Sequence, residues 1–352
     1  MRYLIYGAYG YTGTLIAERA VEQGHEPLLA GRDEGRLRAL ARSLDREARA
    51  VALDQPGRLR AVLDAVPAVL HCAGPFSATS APMVAACLDT GTHYLDITGE
   101  IPVFQALQGH NASAEEAGVV LLPGVGFDVV PTDCLAASLA ERGASATSLE
   151  IAFVGAGPVS KGTLKTAVEQ LGDGGRVRRE GRVVAVPPGW ASRRVPFRDR
   201  TRTVVSIPWG DVVTAGHSTG IPNVTVYTVL PDLVRRLLPL AAPLQGVFSW
   251  SPVQTLLKRA VDRWGPEPTA ADRARGWTRV WAAVRTEDGA RRTAHLHGPE
   301  AYTLTARAAV GAVERVVDAP PDPGFQTPST ALGASFVSDL DGVEVEFDAR
   351  TD

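Results

Sequence analysis

The chain has 352 residues, and 36 Lys and Arg against 39 Asp and Glu leave a formal net charge of -3 at pH 7. This balance provides no basic field for a nucleic acid, and no uninterrupted apolar stretch is long enough to span a bilayer. The three cysteines lack metal-ligand spacing, and the chain opens directly into an apolar segment without a signal peptide. We therefore expect a cytoplasmic protein with no metal site.

The first thirteen residues place a short apolar strand, Tyr3 to Tyr6, directly before glycines spaced G-x-x-G-x-x-G. The helix-compatible segment TLIAERAVEQG follows, so backbone N–H groups and a positive helix end converge where a phosphate would bind. A second strand, HEPLLAGR, completes the strand, turn, helix and strand of a dinucleotide fold. The residues predicted to wrap the pyrophosphate are Gly7, Ala8, Tyr9, Gly10, Tyr11, Thr12 and Gly13.

The end of the second predicted strand indicates which dinucleotide binds. An acidic side chain there would hold a ribose 2′-hydroxyl, whereas an Arg would meet a 2′-phosphate. The first charged residue after the strand is Arg32, so NADP(H) is favoured over NAD. The alternative is that Arg32 is a solvated loop residue. Asp54, taken as the end of the third strand, is expected to accept a hydrogen bond from the adenine amino group.

Short apolar strands alternate with amphipathic helices as far as about residue 131. Helices are predicted over 58–65, 81–88 and 103–117, between strands such as PAVLHCAG, THYLDITG and VVLLPGVG. Six strands with five intervening helices predict an α/β fold with an N-terminal Rossmann-type, doubly wound parallel sheet in residues 1–131.

Ligands of such sheets lie at the carboxyl ends of the strands. Two further cofactor-binding segments are therefore predicted there: Ala73, Gly74, Pro75 and Phe76 after the fourth strand, and Gly126, Phe127 and Asp128 after the sixth. Phe76 could touch the nicotinamide ring or serve only interdomain packing. Asp128 could contact the nicotinamide amide or be an Asx-turn residue that holds the loop.

After Pro131 the pattern changes. A helix over 133–142 is followed by strand-like runs, among them RVVAV, TRTVVSI, NVTVYTV, TRVWAAVRT and RRTAHLH. Their β-branched and alternating character predicts a second α+β domain, residues 132–325, built on a mixed or antiparallel sheet with TEDGA as a hairpin turn. A helical insertion over 233–275 is core, a lid, a hydrophobic substrate wall or a membrane-surface contact.

The C-terminal part is predicted as a helix over 300–317, a proline-rich loop, a helix over 329–340 and the strand VEVEF. Residues 326–352 are expected to pack back on the first domain, so the domain boundary is not a single cut.

Several phrases, in their order and spacing, resemble the saccharopine dehydrogenase-like oxidoreductases and, among them, the trans-acting enoyl reductase branch. They are GAYGYTG at 7–13, LLAGR at 28–32, AGPFS, PMVAAC and GTHYLDITGE between 73 and 100, PGVGFDVVPTD at 123–133, SKGTLKT at 160–166, PWGDVVTAGHSTGIPN at 208–223 and PGFQTPSTALG at 323–333. The resemblance covers nearly the full length. It implies an NAD(P)-dependent fold, with relatives that act on saccharopine or reduce polyketide or lipid double bonds.

Hydride transfer also needs a proton source or an electrophilic group. No Tyr-x-x-x-Lys occurs, which argues against a short-chain dehydrogenase mechanism. The catalytic candidates come from the second domain and are Lys161, Asp211 and His217. Lys161 could neutralise an anionic or carbonyl group or be solvated beside a Ser cap, and His217 could be a general acid or structural.

The sequence thus predicts an oxidoreductase that prefers NADPH and reduces a C=C (enoyl) or C=N bond of a hydrophobic or thioester-bound, lipid-like small molecule. The apolar insertion favours such a substrate, because the basic group over 174–182 looks like a solvated strand connection. The alternatives are a saccharopine or amino-acid dehydrogenase, a non-catalytic NADP-binding regulatory protein and a structural partner in a biosynthetic complex. A homodimer is a further expectation.

Overall fold

The computed structural model describes residues 1–142, 145–170, 174–238 and 250–348. The chain forms two compact units. The first unit combines Met1–Val130 with Tyr302–Asp341, and the second combines Pro131–Ala301 with Gly342–Asp352. Over the described residues, the first unit has a seven-stranded sheet and the second a nine-stranded one. The predicted α/β class with a second, mixed-sheet domain is confirmed.

The sheet of the first unit is built from short apolar strands that run parallel to one another. The first six in the chain are β1 (Leu4–Tyr6), β2 (Leu28–Gly31), β3 (Ala48–Ala50), β4 (Ala68–His71), β5 (His93–Asp96) and β6 (Val120–Leu122). They are ordered β6-β5-β4-β1-β2-β3. Every residue of β1, β2, β4 and β6 is buried, as expected for strands covered on both faces.

Helices connect these strands in the predicted alternation. They are α1 (Tyr11–Glu22), α2 (Glu34–Leu44), α3 (Pro56–Leu63), α4 (Phe76–Thr90), α5 (Ile101–Gly109) and α6 (Asn111–Ala117). The helix predicted over 103–117 is therefore two helices, because the first ends at Gly109, a residue that weakens a helix interior. The helix predicted over 81–88 begins earlier, at Phe76.

The second unit contains a long central strand, β7 (Ala146–Ala156), that pairs parallel with one neighbour and antiparallel with the other. The remaining strands of this part are β8 (Gly175–Arg179), β9 (Arg182–Val186), β10 (Ser192–Pro196), β11 (Thr201–Ser206), β12 (Val224–Thr228), β13 (Trp277–Thr286) and β14 (Arg291–Pro299). The strands β13 and β14 form the predicted hairpin, in which Arg285 pairs with Arg291. Trp281 lies fully buried in the core on one face of this sheet.

The helices of the second unit are α7 (Val130–Glu141), α8 (Lys161–Gln170), α9 (Asp211–Thr219), α10 (Asp232–Leu237), α11 (Ser251–Trp264) and α12 (Ala270–Arg275). The last three lie in the predicted insertion over 233–275, of which residues 239–249 fall outside the described chain. Several large apolar side chains here are exposed, including Leu233, Trp250, Leu256 and Trp264, so core packing does not account for them. Among the described helices, none is long and apolar enough to cross a membrane.

The C-terminal part is shared between the two units in a way that differs from the prediction. Its elements are α13 (Ala301–Asp318), β15 (Gly324–Phe325), α14 (Pro328–Leu332), a 3₁₀ turn (Phe336–Asp339) and β16 (Glu344–Phe347). The segment of the first unit starts at Tyr302 instead of residue 326, because α13 contacts this unit through Tyr302 on Tyr11 and Thr305 on Phe127. The strand β15 then pairs with β6. The strand β16 instead pairs with β14 of the second unit.

The single helix predicted over 329–340 is also corrected. The helix α14 ends before Gly333, which has a φ of +87°, a conformation that glycine adopts without strain. The chain then forms only the short 3₁₀ turn.

His71 ends β4 inside the first unit and is fully buried. Its Nε2 lies 3.0 Å from the Thr79 hydroxyl, and its ring centroid lies 5.5 Å from those of Tyr6 and Phe76. Burial lowers the pKa of His71 to about 3, because the charged ring loses its hydration.

We predict that His71 makes the protein sensitive to acid. As the pH falls below about 6.5, unfolded chains protonate this His whereas folded ones do not until about pH 3, so wild type loses stability by up to about 1.4 kcal/mol per pH unit. The neutral His71→Gln variant lacks this loss. Denaturant unfolding between pH 6 and pH 4 should therefore show a shallower acid slope for His71→Gln than for wild type or the exposed control His110→Gln; parallel slopes would contradict the burial argument.

Candidate functional site

The turn between β1 and α1 folds tightly because three of its positions carry no side chain. Gly7 has a φ of +82°, and its N–H donates to the Ala30 carbonyl at 2.8 Å. A Cβ at Gly7 would lie 2.8 Å from the backbone nitrogen of Ala73, and one at Gly13 would collide with the Gly7 carbonyl oxygen. Only glycine fits either position without displacing backbone.

The helix α1 opens from this turn with donors for an anion. Its N-cap is Gly10, which offers no side-chain hydrogen bond to the first turn. The first N–H groups of an α-helix have no acceptor within the helix and carry the positive end of its dipole. Residues 11–13 therefore present N–H groups of the kind that bind phosphate. No side chain projects beside them from Gly7 or Gly13, so a ligand can approach the backbone closely.

Tyr9 ties this turn to the end of β2. Its hydroxyl accepts a hydrogen bond from the Asp33 N–H at 3.1 Å, and its carbonyl accepts one from the Arg36 guanidinium at 3.0 Å. The Arg36 guanidinium also lies 4.9 Å from the Tyr9 ring centroid. The sequence predicts Tyr9 only as a pyrophosphate neighbour, and it misses this link because the two segments meet only in the fold.

Arg32 follows β2 directly and is exposed. Among the described residues, no hydrogen bond or ion pair involving its guanidinium is present, whereas Arg36 is held by Tyr9. The contact of Arg32 with a 2′-phosphate remains a prediction.

Asp54 does not end the third strand as predicted. The strand β3 stops at Ala50, and Val51 makes the last backbone bond to β2, through its N–H to the Gly31 carbonyl at 3.0 Å. Asp54 lies exposed in the turn that follows, before Pro56 starts α3. Its contact with an adenine amino group remains a prediction.

The turn after β4, residues 73–76, is held by a carboxylate from another segment. Glu100 is buried, and its two oxygens accept hydrogen bonds from the N–H groups of Phe76 at 2.9 Å and Ser77 at 2.8 Å. The peptide bond between Gly74 and Pro75 is cis. Glu100 therefore caps the start of α4, whose own N-cap, Pro75, has no side-chain bond to offer.

Phe76 is buried, and its ring packs edge-on against His71. This contact lies inside the first unit, so the Phe76 ring is packed against protein without a ligand. Contact of Phe76 with a nicotinamide remains a prediction.

A second buried carboxylate fixes the loop after β6. Asp96 accepts hydrogen bonds from the Tyr94 hydroxyl at 2.6 Å, the Thr98 N–H at 2.9 Å and the Gly124 N–H at 3.0 Å. Burial raises the pKa of Asp96 to about 6 despite these donors. The side chain joins the ends of β5 and β6, so both turns keep one geometry.

The segment 126–128 lies at this edge as predicted from the strand order. The Phe127 N–H donates to the Thr305 hydroxyl at 3.0 Å, and a Cβ at Gly126 would lie 3.0 Å from the Thr305 methyl group. The Asp128 carboxylate packs on Gly99, where a Cβ would lie 2.9 Å from its oxygen. Burial, with the nearby Glu100 charge, raises the pKa of Asp128 to about 7, so this group changes charge near neutral pH.

The sequence reasoning missed Asp96, Glu100 and Thr305 as positioning residues. The signal for the first two was present in LDITGE, which places two acids just after a buried strand. Thr305 gave no signal, because it approaches the loop from α13, far along the chain.

The three catalytic candidates lie on two helices of the second unit. Lys161 is the first residue of α8 and is partly buried, and the Ser160 hydroxyl accepts the Thr163 N–H at 3.3 Å. Ser160 thus has the geometry of a helix cap, which the alternative to a catalytic Lys161, a solvated Lys beside a Ser cap, predicts. A Cβ at Gly265 would lie 3.2 Å from the Lys161 side chain.

Asp211 and His217 share α9 but differ in surroundings. Asp211 is fully buried in the first turn, where the positive end of the helix dipole stabilises a carboxylate. His217 is exposed near the other end of the helix. Burial lowers the pKa of His217, with Asp133 opposing and Arg178 reinforcing that shift. A spacing of six residues places the two side chains on different sides of the helix, so α9 does not bring them together.

The first unit is therefore a dinucleotide-binding fold with a Gly-rich phosphate turn at the carboxyl edge of a parallel sheet. Residues 3–122 match the family model of the saccharopine dehydrogenase NADP binding domain. The N-terminal part of the chain is thus similar to the NADP-binding domain of that family, which confirms the predicted resemblance.

Two groups of known proteins extend the comparison. A trans-acting enoyl reductase of Mycobacterium leprae is 36% identical over 138 residues, which are 37% of this chain and 33% of that protein. One of Mycobacterium tuberculosis is 33% identical over 138 residues, with the same shares. The chain thus matches about a third of the length of these curated relatives.

Among solved structures, apo saccharopine dehydrogenase (L-Glu forming) from Saccharomyces cerevisiae aligns with a TM-score of 0.66. The alignment covers 99% of this chain and 100% of that one at 12% sequence identity. At this identity the match establishes a shared fold across both units, and the fold does not determine the reaction.

We predict that Gly7→Ala and Gly24→Ala distinguish two effects of an added Cβ: a steric clash with Ala73 and the strain of a positive φ. Both glycines have nearly the same φ, +82° and +80°, but a Cβ at Gly24 meets nothing within 4 Å. Gly24→Ala should cost roughly 1 kcal/mol of unfolding free energy. Gly7→Ala should cost more and weaken NADPH binding by at least about tenfold, because Ala73 must move. Denaturant unfolding measures the loss of unfolding free energy, and calorimetric titration measures the loss of NADPH affinity. Equal losses in the two variants would contradict a close approach between Gly7 and Ala73.

Glu100→Gln should loosen the turn over 73–77. The Gln amide retains one acceptor oxygen for two N–H donors, so we expect a loss of about 2 kcal/mol in unfolding free energy and weaker NADPH binding. The exposed Glu116→Gln on α6 is the matched control. If Glu100→Gln unfolds at the same denaturant concentration as that control, the carboxylate does not hold the turn.

Proposed function

We propose that this protein is an NADPH-dependent oxidoreductase that reduces a C=C (enoyl) or C=N bond of a hydrophobic or thioester-bound substrate. The observation that carries the proposal is the phosphate turn at 7–13, closed by Gly7 and Gly13 and followed by the exposed Arg32. The relatives named trans-acting enoyl reductases support the reaction class.

The residues of the first unit fit NADPH at both ends of the molecule. The N–H groups of residues 11–13 would hold the pyrophosphate, and Arg32 would pair with the 2′-phosphate. Segments 73–76 and 126–128, held by Glu100 and Thr305, would border the nicotinamide. Bound NADPH supplies a hydride, and the protein must then orient the acceptor and provide a proton.

The proposed proton-transfer residues are Lys161 and His217. His217 is exposed, and its pKa is lowered by burial, so the ring is largely neutral at pH 7. The neutral ring N–H can donate a hydrogen bond to a developing enolate oxygen, and the minor imidazolium form can donate a proton. Lys161 carries a positive charge that can stabilise an enolate oxygen. Asp211, the third candidate, is fully buried and is proposed to act by positioning α9.

The proposal of an apolar substrate is supported by exposed apolar side chains at the start of the insertion, Leu233 and Val234. A substrate with several carboxylates, such as saccharopine, would instead need several cations at its site. In an enoyl reduction the hydride adds to the β-carbon and a proton adds to the α-carbon, so the thioester stays intact.

Arg32→Ala should change cofactor preference. We expect NADPH binding to weaken by roughly 10- to 100-fold, the loss of one charge-assisted phosphate contact, with NADH binding unchanged. The control Arg42→Ala removes another exposed Arg from the following helix, α2. Titration with both dinucleotides measures the effect, and equal losses for NADPH and NADH would remove Arg32 from 2′-phosphate recognition.

The reaction class is tested with NADPH deuterated at the nicotinamide C4 and a panel of enoyl thioesters and imines. Saccharopine, which is a hydride donor, is tested separately with NADP⁺ as the oxidant. Deuterium at the β-carbon of an enoyl product, detected by mass spectrometry, would support the proposal, and Lys161→Met and His217→Gln should then slow transfer without altering NADPH affinity. Reduction of NADP⁺ by saccharopine, with no transfer from NADPH to the enoyl thioesters, would establish the amino-acid dehydrogenase alternative. Tight NADPH binding without transfer to any member of the panel would favour the regulatory one.

A further inference from the structure

The helix α11 exposes large apolar side chains at both ends and in its middle. The exposed fractions are 63% for Trp250, its N-cap, 67% for Leu256 and 75% for Trp264, its last residue. Large apolar side chains exposed together mark an interaction surface. The other side of α11 packs against α8, so the exposed side is a distinct face of the helix.

The two Trp residues project in nearly the same direction. They are 14 residues apart, which on an α-helix amounts to about 21 Å of length and leaves them about 40° apart around the axis. Leu256 lies between them along the helix, about 80° around the axis from Trp264 and about 120° from Trp250. Together they give the exposed side of the helix a broad apolar edge.

Positive charge lies beside this edge. Arg259 and Arg263 are exposed and follow Leu256 at helical spacings of three and seven residues. The Arg263 guanidinium lies 5.8 Å from the Trp264 ring centroid. The helix also contains Lys258, and Asp262 is its one acidic residue.

The charge of the chain is divided unequally between its two units. The second unit contains 24 Lys and Arg against 19 Asp and Glu, a net of +5, whereas the first contains 12 against 20, a net of -8. An anionic surface is therefore attracted to the unit that carries α11 and repelled by the other. A second copy of the chain presenting the same face would meet like charge.

We infer that α11 docks on the surface of an anionic phospholipid bilayer, lying in the plane of the headgroups. Trp250, Leu256 and Trp264 would enter the boundary between headgroups and acyl chains, where Trp is favoured, while Arg259 and Arg263 would contact lipid phosphates. No described helix is suited to crossing the membrane, so the contact is peripheral and reversible. This inference is independent of the proposed reaction.

The test is co-sedimentation of the full chain with vesicles of phosphatidylglycerol and phosphatidylcholine, compared with vesicles of phosphatidylcholine alone. Binding is expected on the anionic vesicles in low-salt buffer and should weaken as salt is raised. Two variants, Trp250→Ser/Leu256→Ser/Trp264→Ser and Arg259→Glu/Arg263→Glu, should each reduce binding by at least about tenfold. Retained NADPH binding and circular dichroism show that the variants fold.

Matched controls change similar residues elsewhere in the second unit. Trp190→Ser removes another exposed Trp, and Arg194→Glu/Arg200→Glu reverses two other exposed charges; both should bind the vesicles like wild type. Absence of binding to anionic vesicles would overturn the inference, as would binding that the α11 variants leave unchanged. A concentration-dependent dimer in sedimentation velocity that the same variants abolish would assign the face to a second copy instead.

Discussion

The first unit depends on one close approach between two backbone turns. Gly7 at the end of β1 lies so near Ala73, after the adjacent strand β4, that no side chain fits between them. These two strands flank the point where the strand order of the sheet reverses, which is where open α/β sheets bind their ligands. The same approach that closes the turn also keeps backbone N–H groups accessible to a pyrophosphate.

Buried carboxylates keep the rest of that edge in place. Glu100 fixes the start of α4, and Asp96 joins the loops after β5 and β6. Both replace hydration with hydrogen bonds to backbone N–H groups, which satisfies donors that would otherwise be buried without partners. The loops at this edge are therefore held by hydrogen bonds within the protein itself, and preorganisation of this kind reduces the cost of binding.

The sequence alone predicted the parallel sheet, the phosphate turn and the basic residue after β2, because each depends on local spacing. It could not predict the link from Tyr9 to Arg36 or the support from Thr305, since both join segments that meet only in the folded chain. The end of β3 was predicted too far along the chain, because its pairing with β2 ends at Ala50. The start of the C-terminal segment of the first unit was predicted too late, because α13 meets α1 only in the folded chain. The sequence left the insertion open between core, lid, substrate wall and membrane-surface contact, since the apolar period of an exposed amphipathic helix resembles that of a buried one.

The central claim, that the turn at 7–13 and Arg32 together bind NADP(H), is tested most directly by a crystal structure of the protein with NADP⁺. The pyrophosphate oxygens are expected within about 2.7–3.2 Å of the N–H nitrogens of residues 11–13, with the 2′-phosphate at the Arg32 guanidinium. A dinucleotide whose pyrophosphate lies away from this turn, or whose 2′-phosphate is held by other residues, would contradict it.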